Sequence, residues 1–185
     1  MDFNDLYSEY EEKLNSLRLN ASEHLLLASI DSQQIQHLHM GKLVKGYKMS
    51  SSKQPPSCIE NSLGTPWGLH RVCEKIGAGY ESGTVFEGRV SIGLKAEECS
   101  REMQTRNLIT SRILRIEGLE EGVNKGGLVD TFKRYVYIHG TNHEQNIGIP
   151  ASSGCLQMSN QSVIELFDLV NVGTHLYIQS DFNSK

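Results

Sequence analysis

The chain has 185 residues and a formal net charge of −4 at pH 7, from 18 basic and 22 acidic side chains. This length predicts one domain with a hydrophobic core of its own, and the lack of a strongly basic face argues against a nucleic-acid partner. Hydrophobic residues make up 38% of the sequence, yet no stretch approaches the ~20 apolar residues that a membrane span requires. The composition is that of a globular protein without a membrane span.

The pattern of residues 3–17 predicts an amphipathic helix. Phe3, Leu6, Tyr10, Leu14 and Leu17 recur at intervals of three and four residues, and the other face is acidic. A helix that lies on a membrane carries Lys and Arg on its polar face, so we expect this one to dock on the domain. We therefore divide the chain into a helical segment, residues 1–22, and a domain, residues 23–180.

Short β-strands are predicted along the rest of the chain. Segments rich in β-branched and aromatic residues, bounded by turn residues, lie at 25–31, 34–40, 43–49, 67–72, 84–90, 108–116, 131–139 and 174–179. A polar loop with two prolines covers 50–64, and a helix is predicted at 161–170, where Ser159 or Asn160 can cap the start. We predict a mainly β fold, a mixed β-sheet or sandwich, because strands outnumber helices by about ten to two or three.

The cysteines and most of the histidines indicate no metal or redox centre. No two of the four cysteines form a C-x-x-C pair, and since the N-terminus lacks the pattern of a secretory signal we expect reduced thiols. His37 and His39 share one face of a predicted strand, but no H-E-x-x-H motif is present, so the histidines are expected to be packed or solvated. The glycines at 77, 79 and 83 do not have the spacing of a dinucleotide-binding loop. We predict no metal and no cofactor.

Residues 137–160 carry the strongest chemical signal. A predicted strand ends at His139, a polar loop follows, and Cys155 arrives among small residues just before a capped helix. An imidazole lowers the pKa of a neighbouring thiol and activates it as a nucleophile, which makes His139 the candidate base and His143 its competitor. Backbone N–H groups at Gly154 and Cys155 are candidate oxyanion donors.

The same segment resembles the L,D-transpeptidase catalytic domain (YkuD-like) of bacterial cell-wall enzymes. That family has a histidine followed, after a loop, by [S/T]-H-G-C, an apolar residue, and Asn or Arg. His139-Gly140 matches the first part, and Ser152, Gly154, Cys155 and Leu156 match the second. The resemblance extends over residues 24–179, through framework-like segments at 60–77, 83–90, 108–122 and 159–178.

The resemblance implies a mechanism. Cys155 would be the nucleophile, His139 its general base, and the carbonyl of Gly140 would hold the imidazole in the productive tautomer. The thiolate would attack a peptidoglycan stem peptide between its third residue and its fourth, a D-residue, releasing D-alanine. The resulting thioester would pass to an amine acceptor, as cell-wall biogenesis and cell shape require. A water acceptor would make the protein an L,D-carboxypeptidase.

Two positions depart from the family pattern. Ser153 replaces a histidine, and Gln157 replaces Asn or Arg, which removes a bidentate cation if Arg is the relevant precedent. A non-catalytic module that binds peptidoglycan or peptide is therefore a further alternative. Residues with candidate roles in binding substrate or forming the oxyanion hole are Gly154, Ser153, Ser152, Gln157, Asn142 and His143.

The expected architecture has one helix after the active-site cysteine and a peripheral N-terminal helix. The site would lie at the end of strand 131–139, under loop 140–155. Arg134, on that strand, is interpreted as a solvated or paired charge. The family's substrate implies the cell envelope or periplasm, whereas the missing signal pattern leaves a cytoplasmic location open.

Overall fold

The computed structural model describes residues 2–179 of the chain, so Met1 and residue 180, the outer bounds of the two predicted ranges, lie outside it. A mainly β mixed sheet is observed, as predicted. The strands are β1 His24–Ser29, β2 Gln34–His39, β3 Lys42–Lys48, β4 Gly68–Ile76, β5 Thr84–Glu87, β6 Val90–Lys95, β7 Ile109–Gly118, β8 Tyr137–Thr141, β9 Leu156–Met158 and β10 His175–Ile178. The helices are α1 Phe3–Leu17, α2 Arg101–Gln104 and α3 Asn160–Leu169, with short 3-10 turns at Ala96–Glu98, Gly127–Val129 and Glu144–Asn146.

In the described part of the chain, ten strands form one sheet in the order β3-β2-β1-β10-β4-β7-β5-β6, and β8 pairs with both β7 and β9. The β1–β10 and β8–β9 pairs are parallel, and the other pairs are antiparallel. Parallel neighbours need a crossover between them. The β8–β9 crossover is the glycine-containing loop that ends at Cys155, so the sheet itself fixes where this cysteine lies.

The sheet has a hydrophobic cluster on each face. Side chains alternate along β1, so Leu26 and Ala28 join the cluster under α3, whereas Leu25 and Leu27 join the cluster under α1. On α3 the buried residues Val163, Leu166 and Phe167 face β7 and β8, and Val170, which caps the end of the helix, belongs to the same cluster. This helix therefore supports the back of the strand that carries His139.

The N-terminal helix packs on the opposite face of the sheet. Its first turn is capped by Asp2, whose side chain accepts the N–H groups of Asn4 and Asp5. Leu6, Tyr10 and Leu14 are buried against β1, β2, β4 and β10. Within residues 2–179, no helix is both long enough and apolar enough to cross a membrane.

The strand predicted at 131–139 starts later than expected, at Tyr137. The Asp130 carboxylate accepts the N–H of Gly126 and of Lys133, the N–H of Arg134 donates to the Asp130 carbonyl, and Tyr135 has a left-handed φ of 55°. Residues 131–135 consequently form turns despite their β-prone composition, because side-chain bonds from Asp hold a turn locally. The segment predicted at 84–90 similarly divides into β5 and β6 at a turn through Gly88 and Arg89, both with positive φ.

Candidate active site

The parallel β8–β9 pair brings Cys155 and His139 to one face of the sheet. Ile138 pairs with Leu156, and His139 with Gln157. Cys155, which directly precedes Leu156, therefore lies beside Tyr137, and His139 is two residues farther along the same strand. Residues two apart point to the same face, so the thiol and the imidazole are diagonal neighbours on that face.

A main-chain carbonyl orients the His139 ring. Its Nδ1 lies 2.6 Å from the carbonyl oxygen of Gly140. A carbonyl only accepts hydrogen bonds, so the ring proton belongs on Nδ1 and Nε2 is left with a lone pair. Burial lowers the pKa of His139 to about 4, and its bond to Gly140 opposes that shift. At neutral pH this imidazole is therefore an uncharged base.

Gly140 occupies a position that has no room for a side chain. A Cβ there would lie 2.6 Å from the Thr110 carbonyl oxygen and 2.8 Å from Oδ1 of Asn160. Asn160, at the start of α3, accepts a hydrogen bond from the Thr110 hydroxyl and donates one to the Thr141 carbonyl. Asn160 thus ties β7, β8 and α3 together around the residue that orients His139.

The Cys155 sulfur contacts the backbone of the neighbouring strand. The N–H of Tyr137 donates to Sγ at 3.4 Å, and the thiol donates to the carbonyl of Tyr135 at 3.8 Å. Burial raises the pKa of Cys155 to about 11, with the Tyr137 N–H and the Arg134 charge acting in the opposite direction. Across residues 2–179 these are the hydrogen bonds of the sulfur, and His139 is not among its partners. The resting pair is therefore a neutral thiol beside a neutral imidazole.

A tight turn presents Cys155. The Ser152 hydroxyl donates to the Cys155 carbonyl at 2.6 Å and accepts the N–H of Gly154 at 3.2 Å. Gly154 has a φ of 125°, a backbone conformation that glycine adopts without strain. Ser152 and Gly154 accordingly shape the loop, while Ser153 is exposed at the rim. The Gly154 N–H, a predicted oxyanion donor, is already bonded to Ser152 in this state.

A cleft of about 290 Å³ opens at Cys155. Its walls come from the predicted polar loop at 50–64, from the turn before β8 and from the cysteine loop; they are Glu60, Asn61, Leu63, Lys133, Arg134, Tyr135, Val136, Ser153 and Cys155. Ser153 is thus placed in the cleft. Gln157 is buried on β9, where it exchanges backbone hydrogen bonds with Ser50, and it does not line this cleft.

Arg134 lines the cleft, whereas the sequence predicted a solvated or paired charge. It is half-buried, and its guanidinium donates to the carbonyls of Ser57 (2.9 Å) and Gly64 (2.7 Å). These bonds hold the 57–64 loop over the cleft. Arg134 also lowers the pKa of Cys155, although burial outweighs it. The sequence gives no local signal for this role, because both carbonyl partners are distant in the chain.

Asn142 and His143 lie at a different cavity. They border a space of about 410 Å³ with Glu97, Gln104 and Glu144. Asn142 accepts the N–H of Leu108 and donates to the Gln104 carbonyl, both at 2.9 Å, so its amide braces the loop. The structure therefore brings His139, rather than His143, to the strand pair that carries Cys155.

Comparison with known proteins identifies the family. Residues 23–178 match the family model of the YkuD L,D-transpeptidase catalytic domain. The chain belongs to this family. The L,D-transpeptidase match begins one residue before β1 and ends with β10, so it spans the whole sheet.

Curated relatives of this L,D-transpeptidase domain match over a short segment. YqjB of Bacillus subtilis strain 168, whose own assignment as an L,D-transpeptidase is provisional, is 45% identical over 47 residues, or 25% of this chain and 27% of that protein. YkuD of the same organism, provisional in the same sense, is 46% identical over 46 residues, or 25% of this chain and 28% of that protein. The matched segment therefore spans about a quarter of these relatives.

Solved L,D-transpeptidases share the fold at low sequence identity. One from Mycobacterium smegmatis is 21% identical, with a TM-score of 0.50 over 85% of this chain and 59% of that one. A cysteine-to-serine mutant of the Enterococcus faecium enzyme is 14% identical, with a TM-score of 0.52 over 86% of this chain and 50% of that one. LdtMt1, solved in complex with imipenem, is 19% identical, with a TM-score of 0.52 over 85% of this chain and 59% of that one.

Proposed function

We propose that this protein is a cysteine-dependent L,D-transpeptidase that acts on peptidoglycan stem peptides through a thioester at Cys155. The observation that carries the proposal is the β8–β9 register, which sets the thiol and a carbonyl-tethered imidazole on one face of adjacent strands, beside a cleft. Thiol, base and cleft are the minimum that nucleophilic acyl transfer needs.

The first half-reaction uses a proton transfer that accompanies attack. Because the pKa of His139 is about 4 and that of Cys155 about 11, a resting thiolate–imidazolium pair is disfavoured. In this scheme the Cys155 side chain rotates away from the Tyr135 carbonyl, and its S–H then donates to Nε2 of His139. The sulfur then bonds to the carbonyl carbon of the third stem residue as the proton moves to the imidazole. The C–N bond breaks, and D-alanine leaves with that proton.

The cleft contains a positive charge that can bind the carboxylates of a stem peptide. A stem peptide carries carboxylates, and the half-buried guanidinium of Arg134 lies in the cleft wall beside Cys155. Guanidinium groups bind carboxylates through charge-assisted hydrogen bonds. We assign Arg134 to binding a substrate carboxylate. The Cys155 N–H is the oxyanion donor in this scheme, since the Gly154 N–H is bonded to Ser152.

The second half-reaction returns the enzyme to its starting state. An amine of a second stem attacks the thioester and gives its proton to His139, and the C–S bond breaks. The sulfur then regains the proton. The L,D-carboxypeptidase differs only in using water at this step, so the two activities are distinguished by product: a crosslinked dimer or a shortened stem.

Acylation by imipenem tests the proposal. Imipenem is the ligand in the LdtMt1 complex, and ring opening by Cys155 would add the whole molecule to the protein. We expect a mass increase of one imipenem per chain in the wild type and none in Cys155→Ala. The Cys73→Ala variant, which removes a different thiol, is the control and should be acylated as the wild type is.

Incubation with a tetrapeptide stem then identifies the reaction. A dimer with loss of D-alanine supports the transpeptidase, and a tripeptide alone supports the carboxypeptidase. Stem-peptide affinity that survives Cys155→Ala, without any acylation of the wild type, would contradict both and leave a binding module.

A further inference from the structure

Three histidines form a stacked cluster at one end of the β1–β2 hairpin, away from the β8–β9 pair. His24 pairs with His39 across the hairpin, and Leu26 pairs with His37, so the three imidazoles share one face. The His24 ring lies between the other two, with centroids 4.6 Å from His39 and 5.1 Å from His37. The L,D-transpeptidase scheme uses none of these side chains.

A carboxylate completes the cluster. Glu23 accepts a hydrogen bond from Nε2 of His39 at 2.9 Å. One ligand atom from each of Glu23, His24 and His39 can be chosen so that all lie within 4.8 Å of one another. Glu23 and His39 are exposed and His24 is half-buried, so the group is open to ions in solvent. Two imidazoles and one carboxylate are a ligand set that Zn²⁺ accepts, with water in the fourth position.

His37 supplies the support that metal-binding histidines usually have. It is 1% exposed, and its Nε2 lies 2.9 Å from Nδ1 of His24. Its other nitrogen, Nδ1, is buried with no hydrogen-bond partner among residues 2–179, so the polar contacts of this imidazole depend on His24. A metal-binding histidine commonly bonds through its second nitrogen to a neighbouring group that fixes the ring. With Nδ1 of His24 engaged in this way, its Nε2 is available for a metal ion.

Metal ions compete with protons for the imidazoles of the cluster. Neutral imidazoles are the form that binds metals. Lys42, the neighbour of His39 on β3, is exposed, so its ammonium can extend into solvent.

We propose that Glu23, His24 and His39 bind a divalent metal ion of the zinc class, with His37 positioning His24. The site joins the start of β1 to the end of β2 and would stabilise the folded chain by mass action. In the sheet it is separated from β8 by the intervening strands β10, β4 and β7, so the metal site is distinct from the candidate active site.

Metal titration of untagged, chelator-treated full-length protein tests the site. We expect one Zn²⁺ per chain by calorimetry, a visible Co²⁺ band typical of four-coordinate nitrogen and oxygen ligands, and a higher melting temperature with either metal. His24→Gln and His39→Gln should each weaken binding at least tenfold, and His37→Gln by about 10- to 100-fold. His143→Gln and Cys155→Ala should bind as the wild type does.

Equal affinity in wild type and His39→Gln would overturn the assignment and indicate adventitious binding elsewhere. So would no heat, no Co²⁺ band and no thermal shift with metal in large excess. His39 is exposed, so its variant is expected to fold, and circular dichroism checks this. Loss of metal binding in Cys155→Ala alone would place the ion at the thiol instead.

Discussion

The two candidate bases, His139 and His143, are four residues apart but lie in different surroundings. His139 belongs to β8, between β7 and β9, and its ring is buried and tethered to the next carbonyl. His143 follows the strand, is half-buried, and lies 3.4 Å from the side-chain amides of Asn142 and Gln145. The sheet fixes one imidazole relative to Cys155, whereas the loop leaves the other at a separate cavity.

This contrast shows what a β-ladder contributes to the geometry of a candidate catalytic pair. Two side chains on paired strands inherit their separation from the register, which many hydrogen bonds hold in place. A histidine on a loop has only its own contacts to fix it. A histidine on the paired strand, such as His139, is therefore a candidate base, whereas His143, four residues later on the loop, is not held in a fixed position relative to Cys155.

Replacing each of the two histidines by alanine tests this comparison, and the His139 variant has the largest expected effect on acylation. His139→Ala should lower the rate of imipenem acylation at Cys155 by about 10²- to 10⁴-fold, because the proton acceptor is lost. His143→Ala should leave the rate within a few-fold of wild type, since it lies at the other cavity. Time-resolved mass spectrometry gives both rates, and the reverse result would make His143 the base.

The burial of His139 predicts a loss of stability in acid. Its pKa is about 4 in the folded chain and 6.5 when free, so between these values the unfolded chain binds the extra proton. The free energy of unfolding should therefore fall as pH drops from 6.5 to 4, by up to about 3 kcal/mol for this group. His70, buried with a pKa of about 4, acts in the same direction.

Urea unfolding at pH 7 and pH 4.5 measures this loss. His139→Gln and His70→Gln should each lower by about one the number of protons that the chain takes up on unfolding, which makes the pH dependence of the unfolding free energy shallower. The glutamine amide in each variant can still form hydrogen bonds. A pH dependence unchanged from wild type in both variants would contradict the assignment of these rings as buried and neutral.

Adding one methyl group at Gly140 tests whether the tether matters. Gly140→Ala would push a Cβ against Thr110 and Asn160, and overpacking of this kind costs about 1–3 kcal/mol of stability. The rate of acylation should fall by more than the loss of folded protein explains, because the Gly140 carbonyl would move relative to His139. Gly46→Ala on β3 is the matched control, since nothing lies within 4 Å of its added Cβ. Equal effects of the two substitutions on acylation would argue against the tether.

The spacing of apolar residues along the chain was enough to predict the N-terminal helix and the first β-hairpin. The spacing of Leu6, Tyr10 and Leu14 gives α1, and the alternation in β1 and β2 gives the hairpin. Residues 131–135 were predicted wrongly because side-chain bonds from Asp130 override their β propensity. The residue pattern at 137–160 itself pointed to Cys155, with His139 and His143 as competing bases. The resemblance to the L,D-transpeptidase family favoured His139 and added Gly140, and the roles of these residues are proposals.

Contacts between distant parts of the chain could not be read from the sequence. Gly140 has no space for a side chain because Thr110, on another strand, lies against it. Asn160 was a possible helix cap by its position, yet Ser159 is the cap and Asn160 braces the β7–β8 pair. These features depend on the register of the sheet, and local periodicity carries no information on it.

The smallest effect is expected from the cation in the cleft. Arg134→Gln keeps hydrogen-bond donors for the 57–64 loop but removes the charge that lowers the pKa of Cys155. We expect slower alkylation of Cys155 by iodoacetamide at a fixed pH near 8, and about a tenfold higher KM for the stem peptide. Lys133→Gln is the matched control: Lys133 also lines the cleft but is exposed, and exposed charges contribute little. If Lys133→Gln raised KM as much as Arg134→Gln, the effect would be explained by general electrostatic attraction and not by a specific contact between Arg134 and a carboxylate. If neither changed KM, the cleft at Cys155 would not hold the charged part of the stem, and the peptide would have to approach from the His143 side.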